Sequence, residues 1–193
     1  MLAGLARAAN APTEIRLLNN STPISIGRRS AQNSELTSVV AQLSIEPSGQ
    51  TPICAQLHDI IKNLKKMEPK LRKSKRVALL VLITDGTSTD GDVINVLRPL
   101  EGFPLRIVVR ILSEDKELIE YWQHINSTLN LDICIMTSLK EDAAASERKN
   151  SWLTYAEPLF LLREFGVEIP GIDMLPYRQL PKEKIKAICQ LLL

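Results

Sequence analysis

The chain has 193 residues, of which 45% are hydrophobic, 24% charged and 4% aromatic. That composition excludes disordered, fibrous and membrane-embedded classes and leaves a soluble globular domain packed mainly from aliphatic side chains. Twenty-four basic residues against 22 acidic ones leave a net charge of +2, so no overall field draws the chain to nucleic acid or to an anionic membrane.

The opening "MLAGLARAANAPTEIR" has an apolar patch too brief for a signal sequence or a membrane span. It reads as an N-terminal segment over residues 1–12, with an organelle-targeting leader and the tail of a longer helix as alternatives. "EIRLLN" (Glu14 to Asn19) is a strand candidate, followed by a turn-rich stretch with Pro23 and Gly27 and a helical pattern from Ser34 to about Leu43. After the breaker "EPSGQTP", Ile53, Leu57, Ile60, Ile61 and Leu64 recur at helical spacing through "PICAQLHDIIKNLKKM", with Pro52 suited to a first turn. The basic cluster from Lys65 to Arg76 reads as a solvated helix end and loop, with a docking patch for an acidic partner as the sharper alternative.

"RVALLVLIT" is a continuous Val/Leu/Ile run, the pattern of a strand buried on both faces in a parallel sheet, and it is expected to be central. Next come a helix over "GDVINVLRPL", a strand over "LRIVVRIL", a helix over "EDKELIEYWQHI" and a strand over "LDICIM". Helical patterns then span about Leu139 to Lys149, Thr154 to Phe165 and Lys182 to Leu193, with "GVEIPGIDMLPYRQLP" as an irregular connection. Strands separated by helices predict an α/β fold: a three-layer, doubly wound, mainly parallel sheet with ligand sites beyond the carboxyl ends of the strands.

Cys54, Cys134 and Cys189 lie far apart and never in a Cys-x-x-Cys spacing. This gives neither a zinc signature nor an even disulfide set, and it predicts reduced thiols in the cytoplasm, with Cys134 and Cys189 packing as small hydrophobes. His58 and His124 fall in helical patterns far from any nucleophile and read as surface or packing residues. Trp152 and Tyr155 read as packing anchors for the C-terminal part, the alternative being an aromatic pair that faces a partner.

The chemistry concentrates in "LLVLITDGTSTDGD", residues 79 to 92. Asp85 falls just past the carboxyl end of an apolar strand. Around it Thr87, Ser88, Thr89, Asp90 and Asp92 offer the oxygens that hard divalent cations take. A plain turn explains part of this, since Thr89 or Asp90 can cap the helix that begins near Asp92. Capping explains Asp85 poorly.

"LITDGTSTDGD" together with "PSGQTPICAQL" resembles the von Willebrand factor A domain, whose sheet carries a metal-ion-dependent adhesion site. Gly49, Gln50, Thr51, Pro52 and Ile53 match the family's Gly-x-Thr-Pro-Leu-like loop, and Thr84, Asp85 and Gly86 match its strand-terminal Thr-Asp-Gly. The likeness extends from about Thr13 to Met136. It implies a Rossmann-like fold, expected as a domain over residues 13–150, and the helical patterns over residues 151–193 are expected to pack on it as an extension. It also implies a Thr51 hydroxyl and an Asp85 carboxylate as metal ligands, lying close together at one end of the sheet, with Asp90 or Thr87 as substitutes. The cation would be Mg²⁺ or Mn²⁺, and the partner a protein whose acidic residue completes the coordination, with no nucleic acid or membrane involved.

The family's third ligand loop, Asp-x-Ser-x-Ser, has no counterpart in the chain. The resemblance places it upstream of Met1, so the domain is expected to be N-terminally incomplete and the metal bound weakly or not at all. The chain is accordingly expected to be an interaction domain with a partial or degenerate adhesion site and no enzymatic activity. Two other readings remain: a metal-free α/β scaffold, and a phosphoryl-transfer enzyme that resembles the haloacid dehalogenase type. The latter's Asp-x-Asp-x-Thr pattern is interrupted here by Ile83.

Overall fold

The computed structural model of the chain describes residues 12–20, 22–26, 37, 39–41, 44, 49–167 and 169–191. It forms two compact units, Met1–Ile60 with Ser88–Val93 and Ile61–Thr87 with Ile94–Leu193.

In the first unit, β1 (Thr13–Ile15) and β2 (Ile24–Ile26) pair antiparallel, Thr13 opposite Ile26 and Ile15 opposite Ile24. The strand expected over Glu14–Asn19 is therefore shorter and begins earlier, and Asn20 N–H closes a turn on the Leu17 carbonyl at 3.2 Å. Its partner was expected to be turn, because a three-residue strand between Pro23 and Gly27 is too short to show alternation. Burial of Ile26 and Val39, with Ile15 and Ile24 against them, decides the pairing. Of the helix expected over Ser34–Leu43, Thr37, Val39, Val40 and Ala41 are helical; the other positions lie outside the described residues.

Helix α1 (Ile53–Ser74) outruns the expected end near Met67 and carries Pro69 inside it. Buried Leu71 continues the stripe of Leu57, Ile61 and Leu64, and its burial outweighs the bond lost at proline. The helix closes with Lys75 in the left-handed region (φ 51°). There Lys75 N–H reaches Arg72 O at 3.2 Å and Arg76 N–H reaches Leu71 O at 2.9 Å, the paired bonds of a Schellman motif with lysine where glycine is usual.

The second unit holds a parallel sheet of β3 (Ala78–Thr84), β4 (Leu105–Ile111) and β5 (Asp132–Met136) in the order β3-β4-β5. Helix α2 (Val93–Leu97), continued by a 3₁₀ turn over Arg98–Leu100, precedes β4, and α3 (Lys116–Thr128) links β4 to β5. Parallel neighbours joined by crossovers make this an α/β fold. One expectation is overturned: β3 is an edge strand among the described residues, not the central one. Leu79 and Ile83 are 44% and 43% exposed. The central place belongs to β4, whose Leu105, Ile107, Val109 and Ile111 on one face and Arg106 and Val108 on the other are buried. Apolar run length reports burial but not rank in the sheet, and "ALLVLIT" and "LRIVVRI" look equally central.

Helices α4 (Leu139–Lys149), α5 (Glu157–Glu164) and α6 (Lys182–Leu191) follow, with a 3₁₀ turn at Ile172–Met174. Ser138 and Glu141 form a capping box at the start of α4. Helix α5 begins at Glu157 rather than Thr154, with Pro158 in its first turn. Val108, Cys134 and Met136 on one sheet face pack with Tyr155, Leu159, Phe160, Ile169, Ile172, Leu175, Leu180 and Ile188. Residues beyond 150 thus cover that face. Tyr155 is buried as expected of an anchor, whereas Trp152 is 42% exposed. The side chain of Cys189 lies outside the described residues.

Two arginines sit on the covered face, at strand positions where apolar residues are the rule. Arg106 pairs with Asp132 at 3.1 Å and with Asp173 at 2.5 Å. Arg110 lies 3.4 Å from Glu164 and stacks 4.4 Å from the Phe160 ring centre. Arg163, fully buried, contacts Asp142 and donates to the Tyr155 hydroxyl at 3.1 Å. Burial alone would favour loss of the Arg163 charge, but Asp142, Cys134 and Tyr155 together outweigh it and raise the arginine. Burial also raises the Asp142 carboxyl, offset in part by Arg163 and Tyr155. The same burial pushes the Cys134 thiol and the Tyr155 hydroxyl up to about 12, so Cys134 is an inert packing thiol.

Candidate metal and partner-binding site

The polar run after β3 opens with a local turn. Thr84 Oγ1 accepts from Gly86 N–H at 3.2 Å and donates to Gly86 O at 3.1 Å. This turns the chain at the carboxyl end of the strand and leaves Asp85 exposed there, the location the α/β pattern predicts for a ligand-facing residue. Asp85 belongs to the second unit and Thr51 to the first.

Within the first unit, residues 88–90 clasp the start of α1. Thr89 N–H donates to Thr51 O at 3.1 Å and Thr51 N–H donates to Thr89 Oγ1 at 3.0 Å. Asp90 takes the N–H of Cys54 on Oδ1 at 3.0 Å and that of Ala55 on Oδ2 at 2.7 Å, and Ser88 Oγ donates to Oδ1 at 2.8 Å. Cys54 Sγ lies 3.3 Å from Ser88 Oγ. Asp90 was expected to cap the helix that follows it; it caps α1 instead, 35 positions earlier for Ala55. A cap is recognised in sequence only when it precedes its own helix, so this one left no local signal.

The clasp commits Asp90. Burial would raise its carboxyl, but the hydrogen bonds from Ser88 and from the Ala55 and Cys54 N–H groups lower it. Asp90→Ala is expected to cost about 1 kcal/mol, the usual worth of a cap. Because the folded carboxyl is the more acidic, its contribution is present above the ordinary carboxylate range and disappears as pH falls through the lowered value. Urea unfolding of both chains at neutral and strongly acidic pH should show a gap that closes on acidification.

A hard cation needs about six oxygens, several of them from the protein. Among the described residues no three His, Cys, Asp or Glu side chains come together to hold a metal ion. Asp90 is engaged at α1, and of the two expected ligands Thr51 offers a hydroxyl and Asp85 a carboxylate. The described residues therefore do not make a complete metal cage. His58 points its Nδ1 at the Cys54 carbonyl of its own helix, 2.7 Å away, and His124 is exposed.

No curated protein and no solved structure matches the chain. The family model described as von Willebrand factor type A domain matches residues 18–116, just over half of the chain. That stretch contains both the clasp at the start of α1 and the Thr84-Asp85-Gly86 turn after β3, set in a parallel α/β sheet, and the chain belongs to the von Willebrand factor type A domain family.

Proposed function

We propose that the chain is a cytoplasmic protein-interaction domain without enzymatic activity, whose metal-ion-dependent adhesion site is degenerate, with Thr51 and Asp85 as the remaining ligand residues. Residues 13–150 form the interaction domain and residues 151–193 its helical cover. The observation that carries the reading is the exposed carboxylate of Asp85 just past the carboxyl end of β3, while the neighbouring Asp90 is spent on a helix cap. Family membership supports the interaction role, because domains of this type generally bind other proteins rather than catalyse. Among the described residues no helix is long and apolar enough to cross a membrane.

In this reading Mg²⁺ or Mn²⁺ binds weakly or not at all, and an acidic residue of the partner adds the oxygens the chain lacks. Calorimetric titration of the 193-residue chain with each cation should give an affinity no tighter than millimolar, and Asp85→Ala should remove whatever binding there is. Micromolar affinity that survives Asp85→Ala would place the metal elsewhere and end this assignment.

A further inference from the structure

Eight of the 24 basic residues fall between positions 62 and 76, with Glu68 as the single acidic residue among them. The rest of the chain is left with more acidic than basic residues. This segment is the second half of α1 and its C-terminal turn. Its side chains sort cleanly by face. Ile61, Leu64 and Leu71 are buried, while Lys65, Lys66, Lys70, Lys73, Lys75 and Arg76 are all exposed. Lys66, Lys70 and Lys73 follow at spacings of four and three, which stacks them on one side of the helix, opposite the buried stripe.

Like charges at those spacings repel. Inside the second unit the compensation is slight, since Glu68 pairs with Arg72 at 2.8 Å and Arg72 also donates to Gly102 O at 2.8 Å. None of Lys66, Lys70 and Lys73 forms an ion pair with a described residue. The Cβ atoms of neighbours on the stripe lie about 5–6 Å apart and the Debye length at physiological salt is about 8 Å, so an anion lying along the stripe meets more than one lysine.

We propose that this lysine stripe is the docking surface for an acidic segment of a protein partner. The proposal rests on the reading of the chain as an interaction domain and names the chemistry of what it binds. Two other anionic surfaces suit the stripe less well. A membrane-surface helix needs a free apolar face, and that of α1 is buried in the fold. A nucleic-acid groove combines basic residues with aromatic stacking platforms, yet no aromatic residue occurs between 61 and 76 and Arg72 is already engaged. Lysines on flexible stems act as mobile point charges and suit the irregular spacing of carboxylates along a peptide.

The test uses a fluorescent glutamate-rich synthetic peptide and anisotropy titrations across a salt series. A mixed-sequence DNA duplex and phosphatidylserine vesicles serve as comparison ligands. The peptide should bind at low salt and weaken steadily as salt rises. The triple variant Lys66→Glu, Lys70→Glu, Lys73→Glu should lose at least tenfold in affinity, and the Lys→Gln triple should fall in between. Lys182→Glu with Lys186→Glu, two exposed lysines of α6 outside the stripe, should leave peptide binding unchanged. Failure of the adhesion-site reading, seen in the cation titration, would thus be told apart from failure of this one. Absence of peptide binding at low salt, equal binding by the folded charge-reversed variant, or tighter binding to duplex or vesicles than to peptide would each overturn the proposal.

Discussion

Asp142→Ala is expected to destabilise the chain by about 3–5 kcal/mol, the cost of removing one partner from a buried ion pair. The substitution leaves Arg163, fully buried, facing the Tyr155 hydroxyl and the Cys134 thiol, with only Asp173 near its Nε at 3.6 Å. Tyr155 loses its acceptor at the same time. For a chain of this length the melting temperature should drop by roughly 6–20 °C, at about 2–4 °C per kcal/mol. Replacing both members, as in Asp142→Leu with Arg163→Met, should recover most of that loss, because two apolar groups of similar volume need no desolvated charge between them. Arg163→Lys alone should also destabilise, since one ammonium cannot replace a planar fork that reaches Asp142 and Tyr155 from Nη1, Cys134 from Nη2 and Asp173 from Nε. Guanidinium unfolding of the four chains measures the difference. A double variant as unstable as Asp142→Ala would mean that α4 and α5 depend on something other than this pair.

The layering of the fold was readable because it follows from local pattern: the apolar runs at 78–84, 105–111 and 132–136 and the helices between them came out within a few residues. What the pattern could not carry was pairing. The order β3-β4-β5 and the Thr13–Ile15 hairpin partner depend on contacts between distant residues, and two equally apolar strands give no hint of which one lies at the edge. The arginine network was illegible for the same reason. Arg106 and Arg110 interrupt an apolar strand, and their counter-ions Asp173 and Glu164 arrive from segments more than fifty positions later. Their alternation with Ile107 and Val109 was a usable sign, since charged residues on the buried face of a strand must be paired. At the candidate site, Asp85 stood out in sequence because nothing local needed it. Asp90 was read as a cap correctly in kind but assigned to the wrong helix, because the cap operates across a loop.

Gly166→Ala is expected to be nearly as damaging as breaking the buried pair, although it adds one methyl group. Gly166 closes α5 as Lys75 closes α1: its N–H reaches Arg163 O, and Val167 N–H reaches Leu162 O, each at 2.9 Å. Its φ is 61°, a conformation that costs an L-residue about 1–2 kcal/mol. Lysine tolerates that cost at position 75 because its side chain is in water. At 166 a Cβ would stand 2.6 Å from Leu79 Cδ1 and 3.1 Å from Arg106 Cδ. Leu79 lies on the sheet edge and can swing away, but Arg106 is clamped between Asp132 and Asp173 and cannot yield without loosening those pairs. Overpacking of that kind adds about 1–3 kcal/mol, for a total of about 2–5 kcal/mol and a fall in melting temperature on the order of 10 °C. Removing the softer obstacle in Leu79→Ala should recover only part of the loss, because the backbone cost and the Arg106 contact remain. Lys75→Gly should act in the opposite direction and stabilise by about 0.5–1 kcal/mol, since it relieves the same backbone cost with no neighbour to meet. Thermal unfolding of Gly166→Ala, Leu79→Ala, their combination and Lys75→Gly separates the two contributions. Full recovery in the Leu79→Ala background would show that crowding at the sheet edge, and neither φ nor the clamped arginine, sets the requirement for glycine.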